Sequence, residues 1–298
     1  VTVLAEPILV TGGSGFIGSQ LVERLENGGR RVLAPRSAEL DLRQWQPTEA
    51  YFEQHRPATV FHLASTARGR RGCEEFLEVF QTNTAGTVHV LEACRRVRVQ
   101  RLVITGTGDE TGSAAATDGF RRPDQAKEPR SVYAACKAAA TLFSEAFCRF
   151  SELRPTVLRL FAVYGPDQSL DFLLPSLLAA LRSGQPLSMT GGQQRRDFVW
   201  LEDVLDVLLA IAANDACKGQ TIDVCTGVTY SLRELVDLLA ELSGRPVPAE
   251  FGAAPYRPGE PFIIAGDPLP LEALVGKLLK TPLRDGLRRL LAYNELLM

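Results

Sequence analysis

The chain is short of the residue types that would announce a metal centre or a disulfide framework. It has six cysteines and only three histidines in 298 residues. Cys73, Cys94, Cys136, Cys148, Cys217 and Cys225 stand apart, with no C-x-x-C pair. A structural zinc site is therefore not expected, and the thiols read as reduced ones in a cytoplasmic protein. No run of about 18 apolar residues exists, so no membrane span is expected. Val1 to Pro7 has neither a basic start nor a long apolar stretch, so no secretory leader is expected. An excess of one charge is missing too. With 33 Lys and Arg against 35 Asp and Glu, the net charge of -2 offers no general attraction to nucleic acid. Internal repeats, coiled-coil heptads and low-complexity tracts are also absent.

What is present is enough apolar material, 45% of 298 residues, to bury a sizeable core in one large domain or two small ones. The chain is organised around Ile8-Leu9-Val10-Thr11-Gly12-Gly13-Ser14-Gly15-Phe16-Ile17-Gly18. A short apolar run ends in glycines, and Phe16, Ile17, Leu21, Val22 and Leu25 follow at helical spacing. The pattern predicts a strand, a tight turn and a helix over 15–27. Gly12, Gly15 and Gly18 fit a dinucleotide-binding turn: one permits the turn, one lets a diphosphate approach, one lets the helix pack closely. The helix N-terminus then offers N–H groups and partial positive charge to that diphosphate.

Arg31 to Pro35 predicts the second strand, with Arg36 at its end. In dinucleotide folds an acidic residue roughly twenty positions past the glycines binds the NAD ribose, whereas an arginine suits the 2′-phosphate of NADP. Arg36 therefore favours NADP(H) over NAD(H), with Ser37 as a second donor. Asp41-Leu42 follows, then a helix over Pro47 to His55. Ala58 to Ser65 reads as a buried parallel strand and its exit loop, which carries Leu63, Ala64 and Ser65. Arg68, Arg70 and Arg71 read more as a solvated loop than as an anion contact.

Asn83 to Val97 is a helical segment, and Arg101 to Thr105 a strand leading into Gly106-Thr107-Gly108-Asp109-Glu110-Thr111-Gly112. Ser113 to Arg130 reads as a polar loop over the strand ends, where ligands sit in open α/β sheets. The helix opened by Ser131 runs to about Phe150 and sets Tyr133 and Lys137 on one face, four residues apart. A strand over Pro155 to Phe161 precedes Tyr164-Gly165-Pro166, which turns the chain out of the sheet. Later, helices are expected over Phe172 to Ser183, Leu201 to Ala213, Ser231 to Ser243 and about Pro282 to Leu291. Gly191 to Phe198 reads as a turn into a short strand, and Gln220 to Cys225 as another strand. Ser231 and Glu234 form a capping-box pattern. Pro246 to Pro261 reads as irregular. The fold class expected is α/β, a doubly wound parallel sheet of Rossmann type with a smaller second domain over the strand ends.

Six ordered motifs carry a family resemblance. They are Thr11 to Gly18, Phe61-His62-Leu63-Ala64-Ser65, Asn83-Thr84-Ala85-Gly86-Thr87, Tyr133-x-x-x-Lys137, Leu158 to Pro166, and Arg196-Asp197-Phe198-Val199-x-Leu201-x-Asp203-Val204. Across nearly its whole length the chain resembles the extended short-chain dehydrogenase/reductases that act on nucleotide-sugars, the NAD-dependent epimerase/dehydratase family. The resemblance implies a Rossmann domain over 1–165, to which 198–228 returns, and a sugar-nucleotide domain over 166–197 and 229–298. It implies Thr107, Tyr133 and Lys137 as the catalytic set and Asp41 and Leu42 as adenine contacts. Arg196 and Arg257 match arginines that hold the substrate diphosphate. It implies a homodimer built on helices near 83–97 and 133–150, with Ala134, Ala135, Ala138 and Ala139 permitting close packing.

The departures are Ala162 where the family often has asparagine, Thr111 where it often has tyrosine, and Arg36 in place of an acid. The short step from Arg36 to Asp41-Leu42 looks like the reductase branch, such as GDP-fucose synthase and GDP-4-keto-6-deoxymannose reductase, and the run Gly106 to Glu110 looks more like the second. The expected activity is NADPH-dependent reduction of a nucleotide-linked 4-keto-6-deoxy sugar, with Tyr133 donating the proton and Thr107 fixing the same oxygen. The alternatives are a nucleotide-sugar epimerase or dehydratase with a retained cofactor, and a non-catalytic NADP(H) sensor. Asp109 and Glu110 stay open between proton transfer on the sugar and a structural role.

Overall fold

A computed structural model describes residues 4–67, 75–112 and 128–297. Arg68, Arg70, Arg71, Cys73 and most of the polar loop after Gly112 lie outside the described residues. The first half alternates β1 (Ile8–Thr11), α1 (Phe16–Asn27), β2 (Val32–Leu33), α2 (Trp45–His55) and β3 (Thr59–His62). It continues through α3 (Phe76–Val79), α4 (Gly86–Val97), β4 (Arg101–Thr107), α5 (Val132–Phe150) and β5 (Thr156–Leu160). Then come β6 (Ala162–Tyr164), α6 (Leu173–Ser183), β7 (Leu187–Met189), β8 (Arg195–Trp200), α7 (Leu201–Ala213) and β9 (Thr221–Val224). The chain ends with β10 (Thr229–Ser231), α8 (Leu232–Ser243), β11 (Ala249–Phe251), β12 (Ile263–Ile264), α9 (Leu269–Val275) and α10 (Leu283–Tyr293).

Six strands form one parallel sheet in the order β2-β1-β3-β4-β5-β9. Alternate residues of each strand feed two different cores, which is why these strands read as continuous apolar runs. Ile8, Val10, Phe61, Val103 and Leu158 pack with α1, α7 and Leu271 of α9. Leu9, Val60, Leu102, Ile104 and Val157 pack with Phe52 of α2 and with Val90, Leu91 and Cys94 of α4. The doubly wound α/β sheet expected from the sequence is thus present. The chain order reverses between β1 and its neighbours β2 and β3, the place where such sheets open a crevice at their carboxyl ends.

A second sheet is built on β8. It lies between β10, to which it pairs antiparallel, and β12, to which it pairs parallel, and its second half also pairs parallel with β6. Tyr164, Phe198 and Trp200 of this sheet meet Leu177, Leu235, Leu239, Leu287 and Leu291 of α6, α8 and α10 in a third core. The capping box at α8 is formed: Ser231 Oγ accepts from Glu234 N at 3.1 Å, and Ser231 N donates to the Glu234 carboxylate at 2.6 Å.

Two expectations change. The segment read as one helix from Asn83 begins as a π-helical turn over Phe80–Ala85 before α4, because Asn83 and Thr87 are drawn into side-chain bonding described below. The stretch read as irregular from Pro246 contains β11, which pairs parallel with β7 over three residues. Three-residue strands are too short to display alternation in sequence.

Close approach decides the glycines of the first turn. Gly12 has φ +73°, and a Cβ on it would lie 2.6 Å from Ala64 N. A Cβ on Gly18 would lie 2.1 Å from the Gly12 carbonyl oxygen, a backbone atom that cannot swing aside. Gly18→Ala should therefore push α1 off β1 and destabilise the protein by about 1–3 kcal/mol. Urea unfolding of the variant checks this, and an unchanged midpoint would contradict the packing described.

Candidate active site

The expected site residues lie at the carboxyl ends of β1, β3 and β4, at the start of α5, and beside β8. α1 begins at Gly15 with no side-chain cap and no acidic residue in its first turn. Its terminal N–H groups and dipole are thus left for an anion, and the Gly12 and Gly18 backbones leave a Cβ-free cradle beside them. Those features fit a dinucleotide diphosphate, as expected of Gly12, Gly15, Phe16, Ile17 and Gly18.

Leu63 N donates to Thr11 O at 3.1 Å, continuing the sheet one residue past β3. The exit loop is then held by Asn83. Its Oδ1 accepts from Ser65 Oγ at 3.1 Å and Thr66 N at 2.8 Å, and its Nδ2 donates to Thr66 O at 2.9 Å. Asn83 and His62 were quoted in motifs without a role, and the structure supplies one for each.

His62 is buried in a chain of hydroxyls. Thr87 Oγ1 spends its proton on Asn83 O at 2.7 Å, so it accepts from His62 Nε2 at 3.0 Å. Nδ1 then accepts the proton of Thr11 Oγ1 at 2.7 Å. Of the two neutral tautomers, only Nε2–H satisfies both ring nitrogens. Burial, aided by the Lys137 charge, pulls the ring down to about 3.

Tyr133 and Lys137 are both buried in the first turns of α5, which Ser131 caps by accepting from Ala134 N at 3.1 Å. Lys137 Nζ donates to the Thr105 carbonyl, which ties α5 to the end of β4 two residues before Thr107. Thr107 is itself buried, and heads a 3-10 turn over Gly108–Thr111 as its capping residue. Thr107 and the Lys137 amine thus lie at the end of β4, and Tyr133 stands one turn before Lys137 on α5.

Asp109 and Glu110 separate. Glu110 is fully buried and turned back to Thr107 N at 2.9 Å. Asp109 is half-buried, and its charge acts on Arg196. Burial pushes the Arg196 guanidinium down, and the carboxylates of Glu260 and Asp109 oppose that shift. Arg196 donates to Glu260 at 2.7 Å, and Arg257 stands 3.6 Å from the other oxygen of the same carboxylate. Glu260 thereby unites the two arginines expected at a substrate diphosphate. It went unnoticed in sequence, although its place three residues after Arg257 was a signal.

Around β2 the arrangement is looser. Arg36 is exposed at the end of the strand, and its backbone N–H donates to Glu39 at 2.8 Å. Asp41 is gripped by Arg43 through Nε at 2.8 Å and a second nitrogen at 2.9 Å, which holds its carboxyl below the usual range. Leu42 is buried, and its carbonyl takes His89 Nδ1 at 2.7 Å. Among the described residues no group of three or more His, Cys, Asp or Glu side chains could hold a metal ion. No helix among them is long and apolar enough to cross a membrane.

The model of the NAD-dependent epimerase/dehydratase family matches residues 8–225, which span the six-stranded sheet and the six ordered motifs. The chain belongs to that family. It is therefore an enzyme of the extended short-chain dehydrogenase/reductase type. Among its relatives, the UDP-glucose 4-epimerase of Mycolicibacterium smegmatis is 30% identical over 268 residues, 82% of this chain and 84% of that protein. The dTDP-glucose 4,6-dehydratase of Neisseria gonorrhoeae is 28% identical over 95% of this chain and 93% of that protein. The solved structure of MoeE5 in complex with UDP-glucuronic acid and NAD superposes with a TM-score of 0.86 at 32% identity, covering 97% of this chain and 99% of that one.

His62 sets a pH signature for this family member. Its folded value of about 3 lies below the ordinary 6.5, so the unfolded chain binds the extra proton between those values. Its contribution to stability is complete above about pH 6.5 and drains away as pH falls toward 3. His62→Gln should be less stable than the parent at pH 7.5, and the gap should narrow steadily toward pH 4.5. Melting temperatures of both proteins across that range check this, and a pH-independent gap would contradict it.

Proposed function

We propose that the protein interconverts C4 epimers of a UDP-linked hexose or hexuronic acid, using a retained nicotinamide dinucleotide. The observation that carries this reading is the Lys137 amine tied to the Thr105 carbonyl, two residues before Thr107, with Tyr133 one helical turn before Lys137, in a chain that is 27% identical over 97% of its length to a UDP-glucose 4-epimerase of Thermus thermophilus. The dinucleotide would supply a reversible hydride acceptor for the ring carbon. Tyr133 would take the proton of the C4 hydroxyl and later give it back, and Thr107 would hydrogen-bond the same oxygen. Lys137, anchored on the Thr105 carbonyl, would hold positive charge beside Tyr133 and reach the nicotinamide ribose. Arg196 and Arg257 would take the substrate diphosphate, with Asp109 facing the sugar side of Arg196.

In this reading residues 1–165 with 198–228 carry the dinucleotide, and 166–197 with 229–298 carry the sugar-nucleotide. β9 returning to the parallel sheet and Val199 and Leu201 packing in its core support the return over 198–228, while Tyr164, Phe198 and Trp200 inside these bounds pack in the second core, so the two parts share β6 and β8. One observation favours a second reading. Arg36, exposed at the end of β2, suits a 2′-phosphate, and an NADPH-dependent reductase of a 4-keto sugar would use it.

The homodimer belongs to the same proposal, with one adjustment. Ala134 and Ala138 are buried inside the subunit, whereas Ala135 is exposed and Ala139 half-buried. The outward stripe of α5 continues through Leu142 and Phe143, 54% and 46% exposed, beside Phe76 and Phe80. Apolar exposure of that extent supports a partner face. Light scattering should give twice the 32.5 kDa chain mass, and Leu142→Glu with Phe143→Glu should give the single mass.

The deciding experiment denatures the purified protein, identifies the released dinucleotide, and incubates native protein with UDP-glucose and with UDP-glucuronic acid. Retained NAD and appearance of the C4 epimer by proton NMR are expected, and Tyr133→Phe should lower turnover by about 10²-fold or more. A dinucleotide-free protein that consumes NADPH with a 4-keto nucleotide-sugar would replace this reading with the reductase one.

A further inference from the structure

Glu110 is out of place as a surface cap. A carboxylate at the head of a four-residue turn normally costs little because water shares it. This one is fully buried, behind the sheet edge, where removing a charge from water costs several kcal/mol. Its Oε1 accepts the Thr107 backbone N–H at 2.9 Å. The room it occupies exists only because residue 106 is glycine, whose Cβ would lie 2.6 Å from that oxygen. Neighbouring strands and α5 supply its charge balance. Arg159 of β5 is fully buried and ion-paired through Nε to Asp223 of β9 at 2.6 Å. Neither terminal nitrogen of Arg159 has a hydrogen-bond partner among the described residues, and neither does Glu110 Oε2. Burial raises the Glu110 carboxyl, opposed by the Thr107 N–H, the Arg159 charge, the Thr141 hydroxyl and the Lys137 charge.

We propose that Glu110 is a positioning residue, which fixes the Thr107 backbone so that the Thr107 hydroxyl keeps its proton directed to the substrate oxygen. The geometry assigns each hydrogen bond of Thr107. Its N–H goes to Glu110, and its Oγ1 accepts from Asp109 N at 3.3 Å. The hydroxyl proton is the donor left for the reacting oxygen. The Phe161 ring, 3.0 Å from where a Gly108 Cβ would stand, closes the other side of the turn. A turn held at both faces has little freedom to rotate Thr107, and an error of about 1 Å at such a group costs about 10²-fold in rate. The inference rests on the proposed role of Thr107.

The test is a double-mutant cycle on turnover of UDP-glucuronic acid and UDP-glucose, with hydrogen exchange at the Thr107 amide as a readout independent of substrate. Glu110→Ala should lower kcat by about 10- to 100-fold while leaving KM and dinucleotide Kd within about threefold. Glu110→Gln keeps a carbonyl acceptor and should recover most of that loss, with the Thr107 amide still protected. Thr107→Ala combined with Glu110→Ala should be no slower than Thr107→Ala alone. If Glu110→Ala does not fold, Glu110→Asp, which draws the acceptor back by one methylene, takes its place with the same expected pattern. A fast-exchanging Thr107 amide in the parent, a kcat within threefold for Glu110→Ala, or losses that multiply in the double variant would each overturn the inference. Full activity of Thr107→Ala would instead overturn the function proposed above, and this inference with it.

Discussion

A parallel sheet covered on both faces leaves one place for polar work, its carboxyl edge. Every strand from β1 to β5 is buried along its length except the short edge strand β2, so its interior can hold little but apolar side chains. The strands' buried polar residues stand toward their ends: Thr59, Arg101 and Thr156 at the amino ends, and Thr11, His62, Thr105, Thr107 and Arg159 toward the carboxyl ends. Each needs a partner, because an unpaired polar group in that interior is costly. Some partners are in neighbouring strands, as Thr11 with His62 and Arg159 with Asp223, and others are in the segments that follow, as Thr107 with Glu110 and His62 with Thr87.

Two such linkages organise the site. One runs from β1 through His62 to Thr87 and the Asn83 carbonyl, and Asn83 in turn grips the loop after β3. The π-helical turn over Phe80–Ala85 places that asparagine, and Thr84 locks the turn to α5 by donating to the Cys136 carbonyl at 2.9 Å. The other runs from Lys137 to Thr105 and from Thr107 to Glu110. Together they join β1, the strand that enters the glycine turn, to the helix that carries Tyr133, through side chains that the apolar pattern alone would not reveal.

That distinction describes what could be read from the sequence. Strands with a doubly buried apolar run, and helices with a clear stripe such as α7 and α8, were legible because period and length are local properties. The glycine turn and Tyr133 with Lys137 stood out by type and spacing, whereas Arg196 and Arg257 stood out only through the family resemblance. Glu260 was only half legible: its place three residues after Arg257 was local, but its bond to Arg196, 64 positions away, depends on β12 lying beside β8. Nor could Asp109 and Glu110 be told apart. Adjacent residues in a tight turn point in different directions, and only the fold says which one meets the interior. β7 and β11 were missed for a plainer reason: their stability lies in pairing with each other, and neither segment is long enough to carry a pattern.

The carboxylate of Glu260 already occupies Arg196 and approaches Arg257. An anion arriving there would not meet two bare cations. It would exchange with an anion of the protein's own, so few counterions would be taken up or released in the exchange. Association governed in this way would respond only weakly to ionic strength, far less than the presence of two arginines suggests. The same pairing keeps Arg196, sunk in a low-dielectric setting, from standing as an isolated charge before any ligand is present. Discrimination would then rest on shape and reach: only an anion long enough to touch both guanidinium groups while its sugar extends toward β4 could compensate for displacing Glu260.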